Sequence, residues 1–218
     1  MTEKNDLVGL TKNRIEALTD GVFAIAMTLI VFSIKVPDLP EHPSAGELSK
    51  SLLAMWPSFL TYVISFAVLG IYWIGHHNHF CFIRRVDRKS MWINMAFLCA
   101  ITLIPFSTAL LARYPDQRIA VIVYGANFIL VGMTLYAHFW YAVGPGHLLD
   151  KEMEPRYRHV AQKLILSGPV ASIICIVIAF GHPLIASTLF VLIPIFYIVP
   201  RSIDRQFAAV LRSIQRDS

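Results

Sequence analysis

The chain has 218 residues, 56% of them hydrophobic and only 15% charged, with 19 Lys and Arg against 14 Asp and Glu. No soluble domain of this length needs that much apolar surface, so the composition indicates a membrane protein and argues against a soluble enzyme. The basic excess is accounted for by membrane topology, as shown below, and needs no nucleic-acid partner.

Met1–Asn13 is polar and charged, without the short apolar core and small-residue cleavage site of a signal peptide, so the first helix is expected to be retained as a signal anchor. From Gly21 to Ile34 the chain is free of Asp, Glu, Lys and Arg, but those 14 residues are too few for a span, which needs about 20. The first helix must therefore include Asp20 and run back toward Arg14, over about 13–36. A carboxylate at that depth costs several kcal/mol unless it faces water or protein and has a partner.

Pro37–Glu47 is a Pro-rich, acidic connection. Its Asp38, Glu41 and Glu47 form either a solvated loop or a means of concentrating cations outside. Charge-free runs then extend over Ser51–Ile83, Ser90–Ala112, Ile119–Leu149 and Leu164–Pro200, the last broken by Gly181-His182-Pro183. They predict helices over 55–83, 90–112, 117–143, 158–181 and 183–200. The expected fold is an all-α membrane protein with six transmembrane helices in one domain, 1–200, followed by a basic tail, 201–218. The tail spaces Arg201, Arg205, Arg212 and Arg216 around Ile203, Phe207, Val210, Leu211 and Ile214, as an amphipathic helix on the inner leaflet or an ordinary solvated segment would.

Alternating the sides with the N-terminus inside puts fifteen of the 19 Lys and Arg on the inner side and only Lys35, Lys50, Arg113 and Arg118 outside. The positive-inside rule thus places both termini in the cytoplasm. The three cysteines, Cys81, Cys99 and Cys175, are odd in number and lack metal spacing, so free thiols are expected and no cofactor is implied.

Polar residues on three helices fall at one depth. Counted from the inner ends at about 1.5 Å per residue, Asp20 lies roughly 9 Å in, His76 and His77 roughly 10–12 Å, and Asn94 roughly 9 Å. Trp73 shares a helix face with His76 and His77. A network of Asp20 with a histidine and Asn94 would satisfy the carboxylate and join three helices. The same layer could serve as a proton relay or ion site. Arg14 could cap it from the membrane surface as a charge partner of Asp20 or Glu16.

The order Arg14-x-x-x-Leu18-Thr19-Asp20-Gly-Val-Phe-Ala-Ile-Ala-x-Thr-Leu resembles the first-helix signature of the transmembrane protein 175 family of potassium channels. Trp73-x-x-His76, Arg85-Val-Asp87, Asn94-x-x-Phe97-Leu98 and Pro105 continue the likeness in order, over about residues 12–110. Leu18 and Thr19 stand where the family has Phe and Ser; Thr19 keeps the hydroxyl, and Leu18 loses a ring. The resemblance implies a homotetramer in the cell membrane with a pore at its centre. Four first helices would line that pore, Ile25 would form the main hydrophobic constriction, and Thr28 would bear on potassium preference. Helical spacing from Ile25 then adds Leu29 and Phe32 to the stripe. Periodicity alone would not have found it, because such residues also face lipid.

The chain lacks the Thr-Val-Gly-Tyr-Gly carbonyl filter, of which Val123-Tyr124-Gly125 is only a fragment, so selectivity would have to arise differently. A narrow apolar ring imposes a dehydration cost on each ion, and K+ gives up its water more readily than Na+, so modest K+ preference is expected. Two rivals remain at this stage. A proton-coupled secondary transporter would use Asp20 with His76 or His77. A metalloenzyme would use His76-His77-Asn78-His79, but adjacent helical residues point about 100° apart and no His-Glu-x-x-His pair exists.

Overall fold

The computed structural model describes residues 11–144, 148–149, 153 and 155–198. The predicted tail, 201–218, and the last two residues of the predicted 183–200 helix lie outside the described residues.

Helix α1 (Lys12–Leu29) follows the extended Thr11 and tightens into a 3-10 turn, Ile30–Ser33. Helix α2 (Ala45–Ala54) was not expected. It begins at a reciprocal cap in which Glu47 N–H donates to Ser44 Oγ (3.3 Å) and Ser44 N–H to Glu47 Oε2 (2.8 Å). The Ser-x-x-Glu spacing of that capping box is visible in the sequence, inside what reads as a loop. Helix α3 (Trp56–Phe80) starts directly after, with Pro57 in its first turn, where a missing N–H costs nothing.

Asp87 caps helix α4 (Arg88–Thr102), accepting from Ser90 N–H at 2.7 Å. The predicted third helix is two segments: α4 stops at Leu103 and helix α5 (Ile104–Arg113) continues, because Pro105 cannot donate to the preceding turn. Helix α6 (Arg118–Val143), helix α7 (Pro155–Ala179) and helix α8 (Pro183–Ile198) complete the described chain.

Among the described residues five helices are long and apolar enough to cross a bilayer: Lys12–Ser33, Trp56–Phe82, Arg88–Arg113, Arg118–Val143 and Tyr157–Ala179. The chain is a multi-pass membrane protein. Helix α8 is apolar but shorter over its described length.

Three buried clusters hold the bundle together. One joins α1 and its 3-10 turn to α3, α4, α5 and α6 through Phe23, Ala26, Ile30, Leu69, Phe97, Ile101, Ile104 and Val131. A second, around Tyr124, Phe128, Cys175 and Phe190, binds α6 to α7 and α8. The third, Ile15, Phe80, Ile83, Tyr141 and Leu148, closes the opposite end. There Leu148 C=O accepts from the backbone N–H of both Arg84 (2.9 Å) and Arg85 (3.3 Å), beside an isolated bridge between Ile83 and Leu149. Helices α6 and α7 form the most extensive pairing. It depends on Gly132: a Cβ there would lie 2.4 Å from Pro169 Cγ, so any side chain would force the helices apart.

Candidate functional site

Thr19, His76 and Asn94 form a buried chain behind α1. Asn94 Nδ2 donates to Thr19 Oγ1 (3.3 Å), and Asn94 Oδ1 lies 2.9 Å from His76 Nε2. A carboxamide oxygen only accepts, so this contact assigns the His76 hydrogen to Nε2. All three side chains are at most 3% exposed, and the His76 ring lies stacked against Phe80 (4.2 Å) and Phe97 (5.3 Å). Three helices are thereby joined at one level by a histidine that is fixed in rotation and tautomer.

Asp20 is not part of that chain. Its Oδ1 accepts from Trp73 Nε1 at 2.8 Å, and the Trp73 ring stacks on His77 (5.8 Å, 21°). The expected single network is thus two adjacent ones. The reason is helical geometry: Thr19 and Asp20 point about 100° apart on α1, so only Thr19 reaches the interior. A cleft of about 220 Å³ lies beside them, lined by Glu16, Asp20, His76, His77 and Phe80. Glu16 pairs with Lys12 at 3.8 Å. Arg14 stands on the exposed side of the first turn of α1.

The opposite faces of α1 differ sharply. Ile15, Thr19, Phe23, Ala26 and Ile30 are buried. Arg14, Leu18, Gly21, Ile25, Thr28, Leu29 and Phe32 follow one another at helical spacing on the uncovered side. Ile25 is 60% exposed, Leu29 46% and Phe32 74%. Thr28 Oγ1 donates to the Ile25 carbonyl at 2.9 Å, which leaves the hydroxyl oxygen with acceptor capacity on that side. The 3-10 turn keeps Phe32 aligned, since residues three apart eclipse in that geometry.

Sequence reasoning passed over several polar contacts. His79 and His138 form a buried pair, with His79 Nε2 2.8 Å from His138 Nδ1. Thr108 Oγ1 donates to Ser65 Oγ (3.0 Å), and Asn127 Nδ2 to Ser107 Oγ (3.0 Å), toward the other end of the bundle. Each of these residues is a polar interruption of a charge-free run, which is the signal that could have found them. At the head of α4, Tyr141 O–H donates to Asp87 Oδ2 at 2.5 Å. Burial works to raise the Asp87 carboxyl, but hydrogen bonds from the Ser90 backbone, from Tyr141 and from the Ser90 hydroxyl outweigh it and hold the group below its ordinary value.

Among the described residues the protein is a helical, multi-pass membrane protein with a buried polar layer behind an uncovered first helix, and comparison with known proteins places it among ion channels. The family model described as "Endosomal/lysosomal potassium channel TMEM175" matches residues 14–105. A potassium channel of Streptomyces collinus is 35% identical over 187 residues, covering 84% of each chain. A potassium channel of Chamaesiphon minutus is 35% identical over 170 residues, covering 77% of this chain and 83% of its own. The crystal structure of a lysosomal potassium-selective channel TMEM175 homolog from Chamaesiphon minutus superimposes with a TM-score of 0.73 at 31% identity, covering 85% of this chain and 95% of that one. The chain belongs to the TMEM175 family, a family of ion channels and not of enzymes.

Proposed function

We propose that this protein is a modestly potassium-selective cation channel of the cell membrane, conducting passively through a pore at the centre of a homotetramer. Each subunit contributes one six-helix domain, 1–200, with both termini cytoplasmic, followed by a basic tail, 201–218. Four α1 helices line the pore. Ile25 forms the constriction, Leu29 and Phe32 continue the apolar stripe, and Thr28 offers an oxygen to a partly dehydrated ion beside it.

The observation that carries the reading is the open face of α1. A single subunit leaves Ile25, Leu29 and Phe32 uncovered while the other side of the same helix is sealed. Asp20 borders that face, and a carboxylate exposed to hydrocarbon is costly, so the surroundings of α1 must include water or protein. A ring of four such helices supplies both. The Thr19–Asn94–His76 chain and the Trp73–Asp20 bond then act as the brace that fixes the rotation of α1, and Arg14 and His77 flank it. Within the ring, an apolar constriction selects by dehydration cost and closes by dewetting.

The test is single-channel recording of the purified protein in planar bilayers under a K+/Na+ bi-ionic gradient. Discrete currents that reverse toward the K+ potential support the reading, and Ile25→Asn should wet the constriction and erode the permeability ratio. An unchanged ratio in that variant would remove Ile25 as the constriction. The cleft that gathers Asp20, His76 and His77 favours a second reading, a proton-coupled secondary transporter. It requires silent bilayers together with slow, saturable, pH-driven uptake in liposomes.

A further inference from the structure

The cleft of about 220 Å³ between α1 and α3 holds acceptors that the brace does not use. Glu16 and Asp20 line it from α1, and His76, His77 and Phe80 from α3. Asp20 and His77 are exposed, so the cleft opens outward, whereas His76 lines it at only 3% exposure. Asn94 takes the His76 hydrogen at Nε2, which leaves Nδ1 as a lone pair. That nitrogen has no hydrogen-bond partner among the described residues. The unpartnered side-chain atoms that are sealed from solvent among those residues are His79 Nδ1 and Asn127 Oδ1. His76 Nδ1 is not one of them, so it is reached through the cleft that its ring lines.

The carboxylates are similarly half used. Trp73 Nε1 donates to Asp20 Oδ1 and leaves Oδ2. Glu16 meets Lys12 only at 3.8 Å, and Lys12 does not line the cleft. His77 is stacked on Trp73, and its Nε2 lies 3.8 Å from Cys81 Sγ, so its ring serves as a wall.

We infer that this cleft binds a small aliphatic primary ammonium ion. The group carries three hydrogens, and His76 Nδ1, Asp20 and Glu16 supply three acceptors. One positive charge answers Asp20, since Lys12 already faces Glu16. Phe80 gives the adjoining methylenes an apolar wall. The volume suits a short alkyl chain and falls below the roughly 300 Å³ at which pockets for drug-sized molecules begin. A hard alkali ion prefers oxygen and gains little from an imidazole nitrogen. No group of three or more metal-ligating side chains is assembled among the described residues. Bound there, the ammonium ties α1 to α3 on the side that the Thr19–Asn94–His76 chain leaves open. Its source is either a soluble amine or the ethanolamine headgroup of a phospholipid.

The site requires no conduction and so stands apart from the channel reading. The test uses the full chain in phosphatidylcholine bilayers near pH 7.5, where an alkylamine, like a lysine, stays protonated. n-Butylammonium chloride is titrated in at constant ionic strength and followed by saturation transfer from the protein to its methylene protons. Saturable binding is expected, with a dissociation constant on the order of 1 mM, which so small a ligand can reach. Tetramethylammonium has the charge but no N–H, and should bind at least about tenfold more weakly. Asp20→Asn keeps an oxygen for Trp73 and should weaken butylammonium binding by about the same factor. Glu16→Gln should weaken it less. In 15N-histidine spectra, one unprotonated ring nitrogen should move toward a hydrogen-bonded shift as the site fills. That signal should persist in His77→Gln and stay still in Asp20→Asn. Equal binding of tetramethylammonium, undiminished binding by Asp20→Asn, or no saturable binding by the wild type would each overturn the inference. Adding phosphatidylethanolamine to the bilayer then identifies the source. A lower apparent butylammonium affinity marks the headgroup as the occupant and an unchanged one marks a soluble amine; either result upholds the site.

Discussion

Asn94→Ala tests the brace behind α1. The substitution removes the acceptor from His76 Nε2–H, whose ring is 3% exposed, and the donor to Thr19 Oγ1. Thr19 can turn its hydroxyl to a carbonyl of its own helix, so it is left with little penalty. His76 cannot turn, because Phe80 and Phe97 stack against it. The orphaned ring N–H then costs about 1–3 kcal/mol, and the vacated carboxamide volume adds roughly 1. The expected loss is about 2–4 kcal/mol. The His76–Asn94 coupling from a double-mutant cycle should contain the orphaned-ring part of that loss, since removing His76 as well relieves it, and should fall near the upper end of membrane hydrogen-bond couplings, up to about 1.7 kcal/mol. The assay is reversible unfolding of the detergent-solubilised protein in mixed micelles with increasing SDS fraction, followed by far-UV circular dichroism. A loss below about 0.5 kcal/mol for Asn94→Ala, within the range of an ordinary surface change, would refute the account of a rotation-locked histidine dependent on this amide.

Gly132→Ala should destabilise by at least about 1–3 kcal/mol in the same assay, since its Cβ would meet the Pro169 ring at 2.4 Å, whereas Gly70→Ala meets nothing within 4 Å and should be neutral or slightly stabilising. Asp87→Ala should cost about 1 kcal/mol through the lost α4 cap. The Asp87 carboxyl is held below its ordinary value in the folded chain, so its contribution is present above the unfolded value, near 4, and is lost as pH falls through the folded one; Asp87→Asn should remove that part of the acid dependence in a pH series of unfolding curves. Trp73→Phe retains a ring over His77 but takes the indole N–H from Asp20, and 13C signals of the Asp20 carboxylate should shift toward those of a water-bonded group.

Much of the fold could be read from the sequence because bilayer physics is blunt. The charge-free runs, and the stretch that had to include Asp20, correspond to helices in the structure, with boundaries displaced by a few residues. Two breaks were missed for opposite reasons. Pro105 divides α4 from α5 with a missing N–H, but a single proline in an apolar run also fits a continuous kinked helix. Helix α2 hides in a segment whose prolines announce a loop, although Ser44 and Glu47 announce a cap. In the polar layer, depth counting brought Asp20, His76, His77 and Asn94 to one level, since rise per residue is constant. It could not say which side chain meets which, because that depends on helix rotation. Hence Thr19, rather than Asp20, meets Asn94, and Trp73, rather than a histidine, meets Asp20. The His79–His138 contact joins residues 59 apart in sequence on helices whose relative rotation no pattern encodes.

The Leu148 carbonyl, which accepts from Arg84 and Arg85 together, has a practical consequence for anyone who engineers this protein. Because one oxygen anchors two peptide N–H groups, the α3–α4 connection and the α6–α7 connection behave as a single part. An epitope, fluorophore or cleavage site inserted between Phe82 and Asp87 would strain residues beyond α6, far away in the chain. Leu39–His42 has no such backbone anchor among the described residues and stands at the other end of the bundle, which makes it the better place for a tag. Insertion tolerance along this chain should therefore follow backbone hydrogen bonding rather than loop length.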